Sequence, residues 1–168
     1  MATLEPLLKR QGDVRRHDVY LDPQKKLKVG MGHLVTAADK LKVGDTIDDT
    51  RISTFLQADS AKAMRAAQAQ ATKAKITDQN FILMLACVNF QLGPTWFMIS
   101  KYKKLWELML KKKYKEAAAE VGKLSEWRSQ SPRRAKEFQL ALLKLKGGSA
   151  ATPGTPAATA AAPAPGKK

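Results

Sequence analysis

"NFILMLACVNFQ", residues 80 to 91, is the stretch that most limits what this chain can become. A helix that is apolar on every side is stable only when other elements cover all of it. The run is also about half the length needed to span a bilayer, so it reads as the centre of a helical bundle. The segments around it supply the cover. Asp48 is placed to N-cap a long helix running through about Ala74. "MISKYKKLWELMLKKK" puts Met98, Tyr102, Leu105, Trp106 and Met109 on one stripe with lysines opposite. "YKEAAAEVGKL" is a further short helix, and another begins with Ser131 as N-cap and Pro132 at its first position, stopping at Gly147 and Gly148. "TLEPLL" reads as a short opening helix, with Thr3 as cap and Leu4, Leu7 and Leu8 on one face.

Between Val14 and Val35 the pattern changes to short, glycine-punctuated, partly alternating pieces, "VYLD" and "LKVGMG", which predict a small hairpin region. The expected fold class is therefore α+β and mainly helical: a small β-containing N-terminal lobe, an all-helical C-terminal lobe, and the helix at about 48–74 between them. The expected folded domain covers residues 1–146. Residues 147–168, "GGSAATPGTPAATAAAPAPGKK", carry no large side chain and cannot bury enough surface to offset the entropy of ordering, so they predict a tail.

Thirty Lys and Arg against fifteen Asp and Glu give a net charge of +15. Such a field draws a protein toward polyanions, whether nucleic acid, anionic lipid or the phosphates of a bacterial envelope, without choosing among them. A nucleic-acid partner lacks further support, since no recognised motif or interleaved exposed aromatics accompany the charge. Cys87, the one cysteine, lies inside the apolar run and reads as a small buried side chain. No zinc, P-loop or Ser-His-Asp pattern is present, so neither metal nor cofactor is expected. "MATLEPLLKRQG" lacks the apolar core of a signal peptide, which predicts a protein that is soluble where it is made, with no integral membrane contact. Trp96, Trp106 and Trp127 read as core.

One stretch carries chemistry. In "DVRRHDVYLDPQKKLKVGMGHL", eight residues separate Asp13 from Asp22, and five more lead to Lys28 and then "VGMGHL". This order and spacing resemble the Glu, Asp, Thr and Gly-x-Gly-His-Leu of the phage T4-type lysozymes. "FLQADSAKAMR" resembles the start of that family's long inter-lobe helix, "NFQLG" its buried helix end, and "WRSQSPRRAKEF" its Trp-x-x-Gln-Thr-Pro-x-Arg-Ala-Lys segment. The β lobe is shorter than the family pattern between His33 and Ile47.

The resemblance implies hydrolysis of the β-1,4 bond between N-acetylmuramic acid and N-acetylglucosamine in bacterial peptidoglycan. That reaction needs a carboxylic acid that keeps its proton and a second carboxylate that stays ionised. The gapless match puts Asp13 at the acid, Asp22 at the second carboxylate and Lys28 at the threonine. Pairing "RQG" instead puts Gln11 at the acid and requires a two-residue insertion. Asp is one methylene shorter than Glu, and misplacing a proton donor by about 1 Å costs about a hundredfold. The plainer reading makes Asp13 and Asp22 surface carboxylates paired with Arg15, Arg16, Lys25, Lys26 and Lys28.

The resemblance further implies that Arg134 faces the acid and that His33 pairs with Asp59 as a structural ion pair. It places Leu34 and Phe90 along the glycan groove and Gln91 and Ser131 within hydrogen-bonding reach of a sugar. Core packing would explain Leu34 and Phe90 equally well, and helix capping Ser131. Three functions follow. The first is a peptidoglycan glycosidase, released from the host cytoplasm to the cell wall or carried in a virion. The second is a binding or structural protein on the same scaffold that has lost the reaction, meeting other virion proteins through its tail. The third is a basic nucleic-acid binder.

Overall fold

The computed structural model describes residues 4–146. The Thr3 cap and the tail at 147–168 lie outside the described residues. The chain opens with helix α1 (Glu5–Arg10) and continues into strands β1 (Arg16–Leu21), β2 (Leu27–Gly30) and β3 (His33–Leu34). A short 3-10 turn, Ala37–Asp39, precedes the long helix α2 (Asp49–Ala74) and the buried helix α3 (Gln79–Leu92). A second 3-10 turn, Trp96–Met98, leads to α4 (Ser100–Leu110), α5 (Tyr114–Lys123), α6 (Ser125–Gln130) and α7 (Pro132–Lys144). The architecture is α+β and mainly helical, as the pattern predicts. No helix among the described residues is long and apolar enough to cross a membrane.

The sheet is antiparallel in the order β1-β2-β3. Its register is uneven: Arg16 pairs with Gly30, but Tyr20 pairs with Lys28. Over that interval β1 advances four residues while β2 advances two, so β1 carries two extra residues in a bulge. The other edge of β1 meets the segment at 44–47, through Val19 N–H to the Asp45 carbonyl and Ile47 N–H to the His17 carbonyl.

Two hydrophobic clusters form among the described residues. A small one holds Val19, Val29, Ile47 and Ile52 beneath the sheet. The large one gathers α3 with the inner faces of the other helices, including Trp96, Trp127, Phe81 and Phe138, all essentially inaccessible. Each buried Leu, Ile or Phe contributes roughly 1.5–3 kcal/mol. Helix α2 belongs to both clusters, with Ile52 in the small one and Leu56, Ala63, Ala67, Ala71 and Ala74 in the large one. Its alanines let α3 approach closely. Gln70 and Asn89 lock the pair by exchanging amide hydrogen bonds, each 2.9 Å, inside the contact. Asp48 caps α2 by accepting from Arg51 N–H at 2.7 Å.

Three local expectations need correction. Met98 is 72 % exposed rather than on the buried stripe, because Ile99 is extended and α4 starts only at Ser100, so the helical period does not reach back to it. Ser131 stands at the N-cap of α7, but its hydroxyl makes no capping bond; it is engaged by Gln91 instead. Helix α7 ends at Lys144, ahead of the glycines, where Leu145 turns extended.

Candidate active site

Gln11 caps the C-terminal end of α1, and Gly12 then turns the chain at φ +105°. Only glycine adopts that conformation without strain. The turn sets Gln11 and Asp13 side by side against Arg134 of α7. The Arg134 guanidinium is 3 % exposed; its Nε donates to Gln11 Oε1 at 2.8 Å and a terminal nitrogen donates to Asp13 Oδ2. The amide of Gln11 is engaged at its other end as well, donating to Glu137 Oε2 at 2.8 Å. Arg10 pairs with the same Glu137 at 3.0 Å. The result is a chain of polar contacts, Arg10–Glu137–Gln11–Arg134–Asp13, crossing from solvent through the protein and out again.

The second carboxylate is built differently. Asp22 closes the β1–β2 turn: Oδ1 accepts the backbone N–H groups of Gln24 at 2.8 Å and Lys26 at 2.9 Å, and Oδ2 meets Lys28 Nζ at 3.2 Å. Partial burial works against its charge. The Lys26 N–H, the Lys28 ammonium and the Gln24 N–H outweigh that and hold the carboxyl below its ordinary range. Asp22 is therefore a well-held anion.

The structure thus joins Asp13 to Arg134 and Asp22 to Lys28. Tyr20 lies within the field of both carboxylates: burial first, and then Asp22 and Asp13, raise its phenol against the opposing Arg16. Tyr20 sits across from Lys28 in the sheet, and Lys28 sits across from Leu34 on the other side. Leu34 is half-exposed on the sheet face that carries Lys28. Phe90 is partly buried against the large cluster. Gln91 has both ends occupied, donating to Ser131 Oγ at 2.5 Å and accepting from Trp127 Nε1 at 3.0 Å, so it ties α3 to α6 and α7.

His33 Nδ1 donates to Asp59 Oδ2 at 2.7 Å, and its Nε2 lies 3.5 Å from Asp39. The ring stacks on Phe55 with centroids 3.9 Å apart. Burial alone would depress its pKa, but Asp59 and then Asp39 raise it above the usual value. Cys87 is inert, its thiol pushed up by burial to about 11. Among the described residues no group of three or more His, Cys, Asp or Glu converges as metal ligands. A cavity of about 570 Å³ lies at the outer end of the polar chain that Arg10 and Glu137 begin, against Leu7, Arg10, Phe81, Met84, Glu137 and Lys144, and includes neither Asp13 nor Asp22.

The phage lysozyme family matches residues 11–139, a span that holds the Gln11–Arg134–Asp13 cluster, the Asp22–Lys28 pair and the His33–Asp59 pair. The chain belongs to the phage lysozyme family. It is also 28 % identical over 156 residues to a probable T4-type lysozyme 2 of Dictyostelium discoideum, covering 80 % of this chain and 89 % of that one. In this member of the family, sequence reasoning missed Glu137 and Arg10 as partners of the site and Tyr20 as a side chain within the field of both carboxylates. The signal for Glu137 was its spacing: it stands three residues after Arg134, on the same helical face.

Proposed function

We propose that this lysozyme-family protein acts on bacterial peptidoglycan at the cell wall of the host, cleaving the β-1,4 bond between N-acetylmuramic acid and N-acetylglucosamine slowly. Asp13 is the proton donor and Asp22 the stabilising carboxylate. The observation that carries this reading is the contrast between the two acids. Asp22 is locked as an anion by three donors, whereas Arg134 engages only one oxygen of Asp13. In the reaction the proton on Oδ1 of Asp13 passes to the glycosidic oxygen as the bond to the anomeric carbon breaks. Asp22 faces the positive charge that develops there and takes a proton from the incoming water. The rate is low because the short Asp13 side chain reaches less far than a glutamate and is tethered to Arg134.

A specific observation favours a second reading, in which the protein binds the glycan without cutting it. Gln11 is buried against Arg134 and bridged to Glu137, and an amide has no acidic proton to give. Turbidity clearing of purified cell walls, with sedimentation of the protein on the same walls, separates the two. Loss of roughly a hundredfold or more in Asp13→Asn and in Asp22→Asn supports the glycosidase, since one positioned acid or base contributes about 10²–10⁴. Wild type that sediments with walls but never clears them supports the binding reading.

A further inference from the structure

The tip of the β1–β2 hairpin carries more positive charge than its one carboxylate can balance. Lys25, Lys26 and Lys28 share the hairpin tip with one carboxylate, Asp22, three against one, for a surplus of +2. Lys25 and Lys26 are exposed and in no ion pair among the described residues. The neighbouring cations differ, because Arg16 is bound to Asp18 at 2.6 Å and Arg134 to Asp13.

Lys28 is the cation best placed to use this surplus. An ammonium has three N–H donors. Asp22 takes one at 3.2 Å and thereby fixes where the head group points. The other two donors have no partner among the described residues. The Lys28 side chain is 29 % exposed, against 10 % for Asp22, so the ammonium is the more open of the two paired groups. Sheet pairing sets Tyr20 on one side of it and the half-exposed Leu34 on the other. A ligand resting there meets an apolar side chain, a cation and a phenol in one row.

Resting on the peptidoglycan reading above, we infer that Lys28, supported by Lys25 and Lys26, is a specificity-determining residue that selects glycans bearing a free carboxylate beside the sugar chain over the same glycans bearing a neutral carboxamide. Lys28 bridges the ligand carboxylate and Asp22. The ligand charge is met by the hairpin surplus, and Asp22 keeps its own partner, so no carboxylate is left desolvated and unpaired.

The test is calorimetric titration of the full-length protein with one muramic-acid-containing oligosaccharide in two forms, free acid and carboxamide. Wild type is expected to prefer the acid by about tenfold, the worth of one charge-assisted hydrogen bond in partly screened surroundings. Raising salt should shrink that preference. Lys28→Met keeps the length of the side chain and removes the charge, and it should bind the two forms equally. Should Lys28→Met fail to fold, the exposed pair Lys25→Gln with Lys26→Gln must lower the preference several-fold. Equal affinity for both forms in wild type, or a preference unchanged in these variants, overturns this inference and leaves the peptidoglycan reading standing. No binding of either form overturns both.

Discussion

His33 Nδ1 lies 2.7 Å from Asp59 Oδ2, and this contact, with the stacking of the ring on Phe55, fastens the end of the small sheet to α2. Because the carboxylates raise the His33 pKa above its unfolded value, the contact stabilises most when the ring is charged. Its contribution is complete below about pH 6.5, the unfolded histidine value, and fades as pH rises through the higher folded value. Asp39, held below its ordinary range by Thr36 and His33 against the effect of burial, contributes in the opposite sense and loses its share only in acid. Asp59→Asn should therefore lower unfolding free energy by about 1.5–3 kcal/mol at pH 5.5. Urea melts at pH 5.5 and again near pH 10 check this. An equal gap between wild type and variant at both would mean that His33 is never charged in the fold.

The amide pair inside the α2–α3 contact offers a second measurement. Asn89 is 3 % exposed and Gln70 5 %, and Gln70 also donates to the Pro94 carbonyl at 2.9 Å. Asn89→Leu leaves a buried Gln70 oxygen without a donor and should cost about 1–3 kcal/mol. The double change with Gln70→Leu should cost less than the sum of the singles, since it removes both polar groups together. Strict additivity in thermal melts would show that the two amides do not depend on each other.

Gly12 tests how tightly the backbone sets the site. A Cβ there meets nothing within 4 Å, so the penalty for Gly12→Ala comes from φ +105° alone. It should be about 1–3 kcal/mol. The new residue also relaxes toward negative φ, which swings Asp13 away from Arg134, so wall binding or clearing should fall further than stability does. A variant as active as wild type would mean that the Asp13–Arg134 pair is incidental.

The helical part of the fold was readable because its signals are local. Apolarity on all sides marks α3, Asp48 caps α2, and Pro132 opens α7. What failed was also local in cause. Gly93 and Pro94 interrupt the chain before α4, so the stripe that includes Met98 is an extrapolation across a break. The Ser131 hydroxyl is taken by Gln91, forty residues away, and sequence shows only the helix end nearby in the chain. For the site, counting residues without a gap assumes that the chain between α1 and the hairpin has a fixed length. The bulge in β1 holds two extra residues between Arg16 and Tyr20, the number that the Gln11 match requires. Bulges and loops absorb such slack at small energetic cost, so spacing alone could not choose between Gln11 and Asp13. Only the position of Arg134 shows that both reach the same guanidinium.

The last prediction follows from that shared guanidinium. Gln11→Glu puts a carboxyl where an amide now joins Arg134 to Glu137. The Nε2–Glu137 hydrogen bond of 2.8 Å becomes two carboxyl groups face to face, and like charges that close cannot both ionise, so one proton is retained. The C-terminal end of α1, with its partial negative charge, also disfavours a second anion there. Arg134 opposes both effects from the other side, which leaves a carboxyl able to hold its proton near neutral pH and to give it up. Gln11→Glu should raise the rate of wall clearing by roughly tenfold or more, the lower part of what a positioned acid supplies. Adding Glu137→Gln removes the repulsion and should move the alkaline limb of the pH–rate profile to lower pH, because the new acid then ionises sooner. If Gln11→Glu folds normally and clears walls no faster than wild type, the absence of a carboxyl at residue 11 is not what limits the protein, and the shortened β lobe between His33 and Ile47 becomes the place to restore the groove.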